Sequence, residues 1–309
     1  MGIGQFTTLN HDCIPAAVFQ LIMNVFEYTP LIVGGVFALF FAVEKFFPLR
    51  ESRTGLLARL IVNIAFSALA FGVAAVAVQP AALHTLAWTS SQPFGLMHLL
   101  ALPNWAGFIF SFLLLDLSFY YWHLLNHKVP FLWRFHNVHH IDPALDVSTG
   151  FRFHFGEVLF STAFRVVQVS LIGASLAAFL TYELVFQSET LFHHSNLRLP
   201  IGLERLLNKI LVTPRMHGIH HSQVRHETNS NYGVVFPWWD SLHRTLGLNI
   251  PQNKIEIGIA GYSSPENNRL WQALLMPFAK QRDYWRKPDG TKPERVEGDL
   301  TEKQTRLAE

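Results

Sequence analysis

The sequence predicts an all-α membrane protein, a multi-span transmembrane bundle of about four membrane-embedded helical elements that carries a helical cap. Half of the 309 residues are hydrophobic and only 15% are charged, whereas a soluble domain usually carries about 25% charged residues. The stretch from Leu60 to Leu115 contains no Asp, Glu, Lys or Arg. Thirteen of the 16 histidines fall between His123 and His243, behind that apolar stretch.

Composition also excludes several classes of protein. The single cysteine, Cys13, excludes a disulfide scaffold and a cysteine-based zinc or iron–sulfur site. The net charge of +2 gives no electrostatic footprint for nucleic acid, so no nucleic-acid partner is expected. High hydrophobicity excludes disorder over most of the chain. Only the charged tail from Lys280 is expected to be solvated or disordered.

The apolar segments predict the membrane-embedded elements in order. A helix needs about 20 mostly apolar residues to cross a bilayer, which predicts spans at 30–47, 56–78 and 104–122. The connection Gln79–Asn104 is expected to be interrupted by its three prolines. A fourth apolar block, 158–192, has Gly173 near its middle and predicts a helical hairpin that enters the bilayer and returns. A soluble helical protein is disfavoured, because the charge-free run Leu60–Leu115 is too long to be buried in one soluble core.

Charge asymmetry predicts the orientation in the membrane. Only four of the 24 basic residues precede position 128: Lys45, Arg50, Arg53 and Arg59. Because cytoplasmic loops carry an excess of Lys and Arg, we expect the N-terminus outside and the histidine-rich region and C-terminus in the cytoplasm. The first 27 residues contain no Lys or Arg, which disfavours a removable signal peptide. We predict three regions: a transmembrane region (1–104), a metal-binding region (105–250) and a C-terminal segment (251–309).

The histidines recur at helical spacing. Two lie at i and i+4, and two HxxHH triplets place three at i, i+3 and i+4; these clusters are His123 and His127, then His136, His139 and His140, then His217, His220 and His221. Imidazoles at i and i+4 present two nitrogens to one metal ion, and the third member of a triplet reaches a second ion. His154, His193 and His194 are candidate additional ligands, and Glu189, one turn before His193, is a candidate carboxylate ligand. We therefore predict a histidine-rich two-metal site.

Not every histidine is a predicted ligand. His11, His84 and His98 are expected to be structural, whereas His226 and His243 are equally suited to orienting a ligand and to a structural role. The choice between His193 and His194 stays open. The repeated HxxHH spacing disfavours a solvent-exposed surface patch of histidines. An all-nitrogen site without sulfur favours redox-active iron. A zinc-dependent membrane hydrolase and a histidine-rich metal carrier or transporter are the alternatives.

An ordered series of motifs over about 105–250 resembles the fatty acid hydroxylase/sterol desaturase superfamily of integral-membrane di-iron enzymes. The motifs are Asp116 with Tyr120-Tyr121-Trp122-His123 and His127, Leu132-Trp133-Arg134-Phe135-His136 with His139-His140, Arg152 with His154 and Glu157, His194-Ser195-Asn196, and Thr213-Pro214 with His217 and His220-His221-Ser222. The closing segment Asn231-Tyr232-Gly233 and Trp239-Asp240 is also similar. Leu124 and Phe155 depart from the usual pattern, which concerns substrate handling more than metal binding.

The resemblance implies two iron ions that use O₂ to attack a C–H bond of a lipid, held in a cytosolic cap over a lipid-facing tunnel. Members hydroxylate or desaturate lipids and sterols or cleave ether lipids, so the motifs do not identify the substrate. Asp116, Glu157 and Asn196 are candidates to accept imidazole N–H groups and orient the ligands. The sequence contains no recognisable haem, flavin or nicotinamide segment, so a separate electron donor (a ferredoxin, cytochrome or reductase) is expected.

Overall fold

A computed structural model describes residues 27–51, 54–92 and 94–295. Regular structure in these ranges is helical, and extended pairing is limited to two isolated bridges, Pro48–Leu197 and Ser222–Ile257. The α-helices are α1 Thr29–Phe46, α2 Leu56–Val73, α3 Gln79–Ser91, α4 Leu96–Leu100, α5 Asn104–Lys128, α6 Pro130–His140, α7 Phe155–Ile172, α8 Leu176–His194, α9 Ile201–Leu207, α10 Pro214–His220, α11 Arg225–Thr228, α12 Trp238–His243 and α13 Leu270–Leu275. A π-helix spans Ala74–Val78, and 3₁₀ turns span Val147–Phe151, Gln252–Lys254, Ala260–Tyr262, Pro265–Asn268 and Met276–Phe278. The predicted all-α class is confirmed.

Four helical segments in the described ranges are long and apolar enough to cross a membrane. They are Thr29–Phe46, the region Leu56–Leu100, Asn104–Lys128 and Phe155–Ile172. Large apolar side chains such as Leu31, Leu57 and Val76 point outward from these helices, as expected of helices that face lipid rather than water. The predicted membrane bundle of about four elements is confirmed.

Two predicted boundaries were wrong. Pro80 does not interrupt the second span, because the chain stays helical from Leu56 to Ser91 and Pro80 occupies the first turn of α3. The π-helical segment Ala74–Val78 directly precedes this turn, and such a local change of the hydrogen-bonding pattern accommodates a residue without an N–H inside a continuing helix. The third span runs past 122 to Lys128, and the next helix begins at once with Pro130. His123 and His127 therefore lie on the last two turns of a membrane helix.

The predicted hairpin is present in α7 and α8. Gly173, with a φ of 66°, ends α7, and Ser175 caps α8 by accepting from the N–H of Ala178. A Cβ added at Gly95 would lie 2.6 Å from the Cα of Gly173, so the hairpin turn packs closely against the segment before α4. Among the two hairpin helices, only α7 meets the criteria for a candidate span.

Buried ion pairs join α2 to the loop that follows α6. Arg59 donates to Asp142 (2.7 Å) and to Asp146 (2.8 Å), and Asn63 donates to Asp142 (2.9 Å). Arg152 contacts the same carboxylate and donates to the carbonyl of Val138 (3.0 Å). Arg59 is thus an internal residue and not one of the loop charges that indicate the orientation in the membrane. These bonds attach the histidine-bearing helix α6 to the membrane bundle.

The C-terminal tail makes specific contacts up to Arg295. Trp285 stacks on Trp133 with ring centroids 6.1 Å apart, and Arg295 pairs with Glu227 at 2.7 Å. Residues 280–295 are exposed or half-buried, which agrees with the predicted solvated tail, and these aromatic and ionic contacts attach the segment to the rest of the protein. Residues 296–309 lie outside the described ranges.

Candidate metal centre

Nine histidines from four helices converge into two adjacent groups. Helix spacing divides each HxxHH triplet: the imidazoles at i and i+4 enter one group and the one at i+3 enters the other. The five-histidine group is His123, His127, His136, His140 and His220; the four-histidine group is His139, His194, His217 and His221. Within each group the candidate ligand atoms lie within 4.8 Å of one another.

The nitrogens of the four-histidine group have the spacing of a coordination sphere. The Nε2 atom of His194 lies 3.0 Å from that of His139 and 2.9 Å from that of His217. The Nε2 atoms of His217 and His221 are 3.1 Å apart. Nitrogens that share one ion at about 2.1 Å lie about 3.0–3.4 Å apart. The observed spacing therefore lets these imidazoles share one ion.

In the five-histidine group, hydrogen bonds at Nδ1 leave Nε2 available to an ion. Nδ1 of His123 contacts the carbonyl of Tyr232 (2.9 Å), Nδ1 of His220 contacts the carbonyl of Ser230 (2.6 Å), and Nδ1 of His136 contacts Glu157 (2.8 Å). Such contacts set the tautomer and the ring orientation of metal-binding histidines.

Two buried atoms in this group without a hydrogen-bond partner show that the site suits a cation. The Nε2 atoms of His127 and His220 are buried and have no hydrogen-bond partner among the described residues. A buried polar atom without a partner costs free energy. A bound metal ion removes that cost, so the donor set fits a metal.

Burial keeps the grouped histidines outside the membrane helices in the protonation state that metal binding requires. Desolvation lowers the pKa of His220 to about 3. It also lowers the pKa of His139, His140, His217 and His221 well below the ordinary value. Neighbouring imidazoles add to the effect, since a second positive charge nearby disfavours protonation. These side chains are therefore neutral at pH 7 and present lone pairs.

Three predicted candidate ligands lie outside both groups. His154 is the N-cap of α7: its Nδ1 accepts from the N–H of Gly156 (3.0 Å), and its Nε2 contacts the carbonyl of Leu274 (3.1 Å). Both ring nitrogens are engaged, so neither is free for a metal. His193 packs its ring 4.2 Å from that of His217, but only its neighbour His194 is grouped. Glu189 is buried nearby and belongs to neither group.

Two predicted orienting residues perform other tasks. Asp116 accepts from the indole N–H of Trp239 (2.8 Å) and the N–H of Phe236 (3.1 Å), not from an imidazole. It lies on the face of α5 that meets the segment before α12. Asn196 exchanges hydrogen bonds with the backbone of Arg50 (2.9 and 2.8 Å). Of the three candidates, Glu157 alone contacts a grouped histidine.

The supporting carbonyls of Tyr232 and Ser230 were missed by the sequence analysis. Asp240 holds this loop by accepting from the N–H groups of Tyr232 (2.8 Å) and Gly233 (2.7 Å). A Cβ at Gly233 would lie 2.9 Å from that carboxylate. The Asn231-Tyr232-Gly233 and Trp239-Asp240 motifs were the available signal, but backbone acceptors leave no side-chain signature.

A mostly apolar cavity of about 800 Å³ lies beside the site. Its walls come from α1, α2, α3, α7, α8 and the turn Val147–Phe151. The same turn packs on the four-histidine group, since a Cβ at Gly150 would lie 3.6 Å from the Cβ of His194. The cavity is thus one backbone turn away from a predicted ligand.

Comparison with known proteins identifies relatives among lipid hydroxylases. A fatty acid hydroxylase family model matches residues 108–245, which include all nine grouped histidines. The ornithine lipid hydroxylase OlsE of Rhizobium tropici is 32% identical over 209 residues, covering 68% of this chain and 58% of that protein. Human cholesterol 25-hydroxylase is 31% identical over 141 residues, covering 45% and 50%. Alkylglycerol monooxygenase of Danio rerio is 29% identical over 196 residues, covering 61% and 41%.

The chain spans about half the length of the curated relatives it matches. No solved structure matches it significantly.

Proposed function

Because this chain belongs to the fatty acid hydroxylase/sterol desaturase superfamily, we propose that it is a membrane-bound, di-iron, O₂-dependent oxidoreductase that hydroxylates or desaturates a lipid or sterol-like substrate. One observation carries the proposal: nine histidines, buried or half-buried, form two adjacent all-nitrogen groups at the end of a membrane helix.

The nine grouped histidines would hold two iron ions, one in each group. Iron supplies the redox chemistry by which O₂ reacts with an unactivated C–H bond. The protein supplies neutral imidazoles and a site from which bulk water is largely excluded. The Glu157 carboxylate accepts from Nδ1–H of His136 and directs the Nε2 lone pair of that ring toward the five-histidine group.

The apolar cavity beside the histidines is the proposed location of the lipid tail. Its volume of about 800 Å³ falls in the usual range for small-molecule sites. The relatives act on an ornithine lipid, on cholesterol and on alkylglycerols according to their names, so these three lipid classes form the first substrate panel.

Isotope labelling distinguishes the two reactions. Purified protein in lipid nanodiscs, supplied with reductant and ¹⁸O₂, should insert one labelled oxygen atom into a hydroxylated product. Desaturation would give a product two hydrogens lighter with no label. Product from none of the lipids tested, in a preparation that contains iron, would count against the reaction.

Electrons are proposed to come from a separate ferredoxin, cytochrome or reductase that docks on the side of the histidine groups. Turnover with a soluble ferredoxin–reductase pair, compared with a cytochrome-based pair, identifies the class of donor. Turnover with NADH or NADPH alone would contradict the need for a separate protein.

The alternatives predict different metal contents. A zinc hydrolase would hold one tetrahedral zinc, and a carrier would exchange its metal readily. Nine grouped imidazoles exceed the four ligands of one tetrahedral zinc, which disfavours the first, and the buried, restrained imidazoles disfavour the second. After expression with both metals supplied, we expect about two irons per chain, and stoichiometric zinc without iron would contradict the proposal.

The histidine groups and C-terminus are proposed to face the cytoplasm. Basic residues before α2 favour this orientation. A reporter fused after Glu309 should read cytoplasmic and one inserted near Ser90 should read external. A cytoplasmic signal at Ser90 would contradict the topology.

A further inference from the structure

The segment 201–210, which contains α9, exposes an unusual amount of apolar surface. The side chains of Ile201, Leu203, Leu206 and Ile210 are 37%, 45%, 59% and 52% exposed. The opposite face is polar but buried: Glu204 accepts from the backbone N–H and the guanidinium of Arg215 (3.2 and 2.6 Å). A segment that turns its aliphatic residues outward and its carboxylate inward is suited to an apolar surrounding rather than to water.

Backbone hydrogen bonds place this segment beside the end of the first membrane helix. The N–H of Arg198 donates to the carbonyl of Phe47 (2.8 Å), and the N–H of Leu49 donates to the carbonyl of Asn196 (2.7 Å). Phe46 and Phe47, at the end of α1, are 76% and 56% exposed. The segment 201–210 therefore begins three residues after a position that is hydrogen-bonded to the exposed apolar end of the first span.

The chemistry around the segment matches the boundary of a bilayer. Four cations, Lys45, Arg198, Arg205 and Lys209, are exposed around it. The indole N–H of half-exposed Trp238 donates to the carbonyl of Lys209 (2.7 Å). Trp is enriched where membrane meets water, and basic side chains there bind anionic headgroups.

We propose that residues 201–210, the interfacial segment, lie within the headgroup region of the bilayer leaflet on the side of the histidine groups and associate preferentially with anionic lipid. The ion pair of Glu204 with Arg215 then connects the lipid surface to α10, which carries His217 and His220. The lipid leaflet thus supports a helix of the candidate metal centre from outside. The inference is independent of the reaction proposed above.

Single-cysteine labelling tests the position of this segment. Cys13→Ser removes the single native cysteine, and Leu206→Cys then accepts an environment-sensitive fluorophore. Leu39→Cys, on the exposed face of α1, is the hydrocarbon control, and Asp289→Cys, in an exposed turn, is the aqueous control. The full-length protein is reconstituted in phosphatidylcholine vesicles with and without phosphatidylglycerol.

We expect lipids with a nitroxide near the headgroup to quench the Leu206 label more strongly than lipids with a nitroxide near the chain end. Iodide in the buffer should quench it weakly. The Leu39 label should show the reverse depth preference, and the Asp289 label should respond to iodide alone. Phosphatidylglycerol should shift the emission of the Leu206 label further to the blue, and Arg205→Gln with Lys209→Gln should remove that additional shift.

Iodide quenching of the Leu206 label equal to that of the Asp289 label would overturn the proposal. Protection from both iodide and lipid nitroxides would also overturn it, because a second copy of the chain would then cover the segment. If Leu206→Cys impairs folding, Leu203→Cys on the same exposed face gives the same readout with the same criteria.

Discussion

Replacing His194 or His193 by alanine tests the assignment of the four-histidine group with two adjacent residues. Both side chains are 2% exposed, so the two substitutions remove the same volume from similarly buried positions. Only His194 aims Nε2 at two other grouped nitrogens, 3.0 and 2.9 Å away. Loss of a residue that merely orients a ligand weakens metal binding about 10–100-fold.

Loss of one of four ligand nitrogens should exceed that range, and 100-fold corresponds to about 2.7 kcal/mol. We therefore expect His194→Ala to hold about one iron per chain and to form almost no product, while His193→Ala keeps about two. Elemental mass spectrometry after dialysis against a chelator measures the iron. Melting temperatures of both variants control for packing. The reasoning is refuted if His193→Ala loses the ion and His194→Ala retains it.

Three further predictions follow from the residues that support the site. Asp116→Ala should destabilise the fold by about 2–6 kcal/mol, because two buried donors (the Tyr182 hydroxyl and the Val235 N–H) and the half-buried N–H groups of Phe236 and Trp239 lose their shared acceptor. A lower melting temperature than that of Asp116→Asn checks this, and an unchanged one contradicts it. Glu157→Ala should weaken iron binding about 10–100-fold in a chelator competition. Glu157→Gln should be less affected because it keeps an oxygen that accepts from His136. Equal iron affinity of Glu157→Ala and wild type would contradict the proposal that Glu157 orients His136. In metal-free protein the pKa of His220 is about 3, whereas in the unfolded chain a histidine has a pKa near 6.5. Below about pH 6.5 the unfolded state therefore binds more protons than the folded state. The free energy of unfolding should then fall by about 1.4 kcal/mol per pH unit for each histidine whose pKa is lowered in this way. Denaturant unfolding between about pH 7 and pH 5 measures this slope, and a flat profile would oppose it.

The membrane bundle was predictable because lipid leaves the backbone few choices. An apolar run in a bilayer has to satisfy its N–H and C=O groups internally and therefore forms a helix, as Thr29–Phe46 and Asn104–Lys128 do. Pro80 was wrongly predicted to end the second span, because the effect of a proline depends on whether its N–H is needed. That condition depends on where the π-helical segment Ala74–Val78 begins and ends, which is not a property of local composition.

The site was predictable only as far as one helix extends. Imidazoles at i and i+4 share a face, so the spacing alone indicates that His136 and His140 approach one ion while His139 approaches another. Successive helical residues point about 100° apart, and the sequence does not state which direction faces the centre. It therefore left the choice between His193 and His194 open and included His154.

Local periodicity in the sequence thus determined the helical class, the membrane segments and the pairing of histidines within each helix, because these depend on neighbours along one chain segment. Tertiary structure alone decided that His194 is grouped, that His154 caps a helix and that Asp116 holds the loop of Trp239. Those outcomes depend on which side chains from distant helices lie close together. They also depend on whether a buried nitrogen or carboxylate is hydrogen-bonded to the backbone or lies beside a metal site or an imidazole.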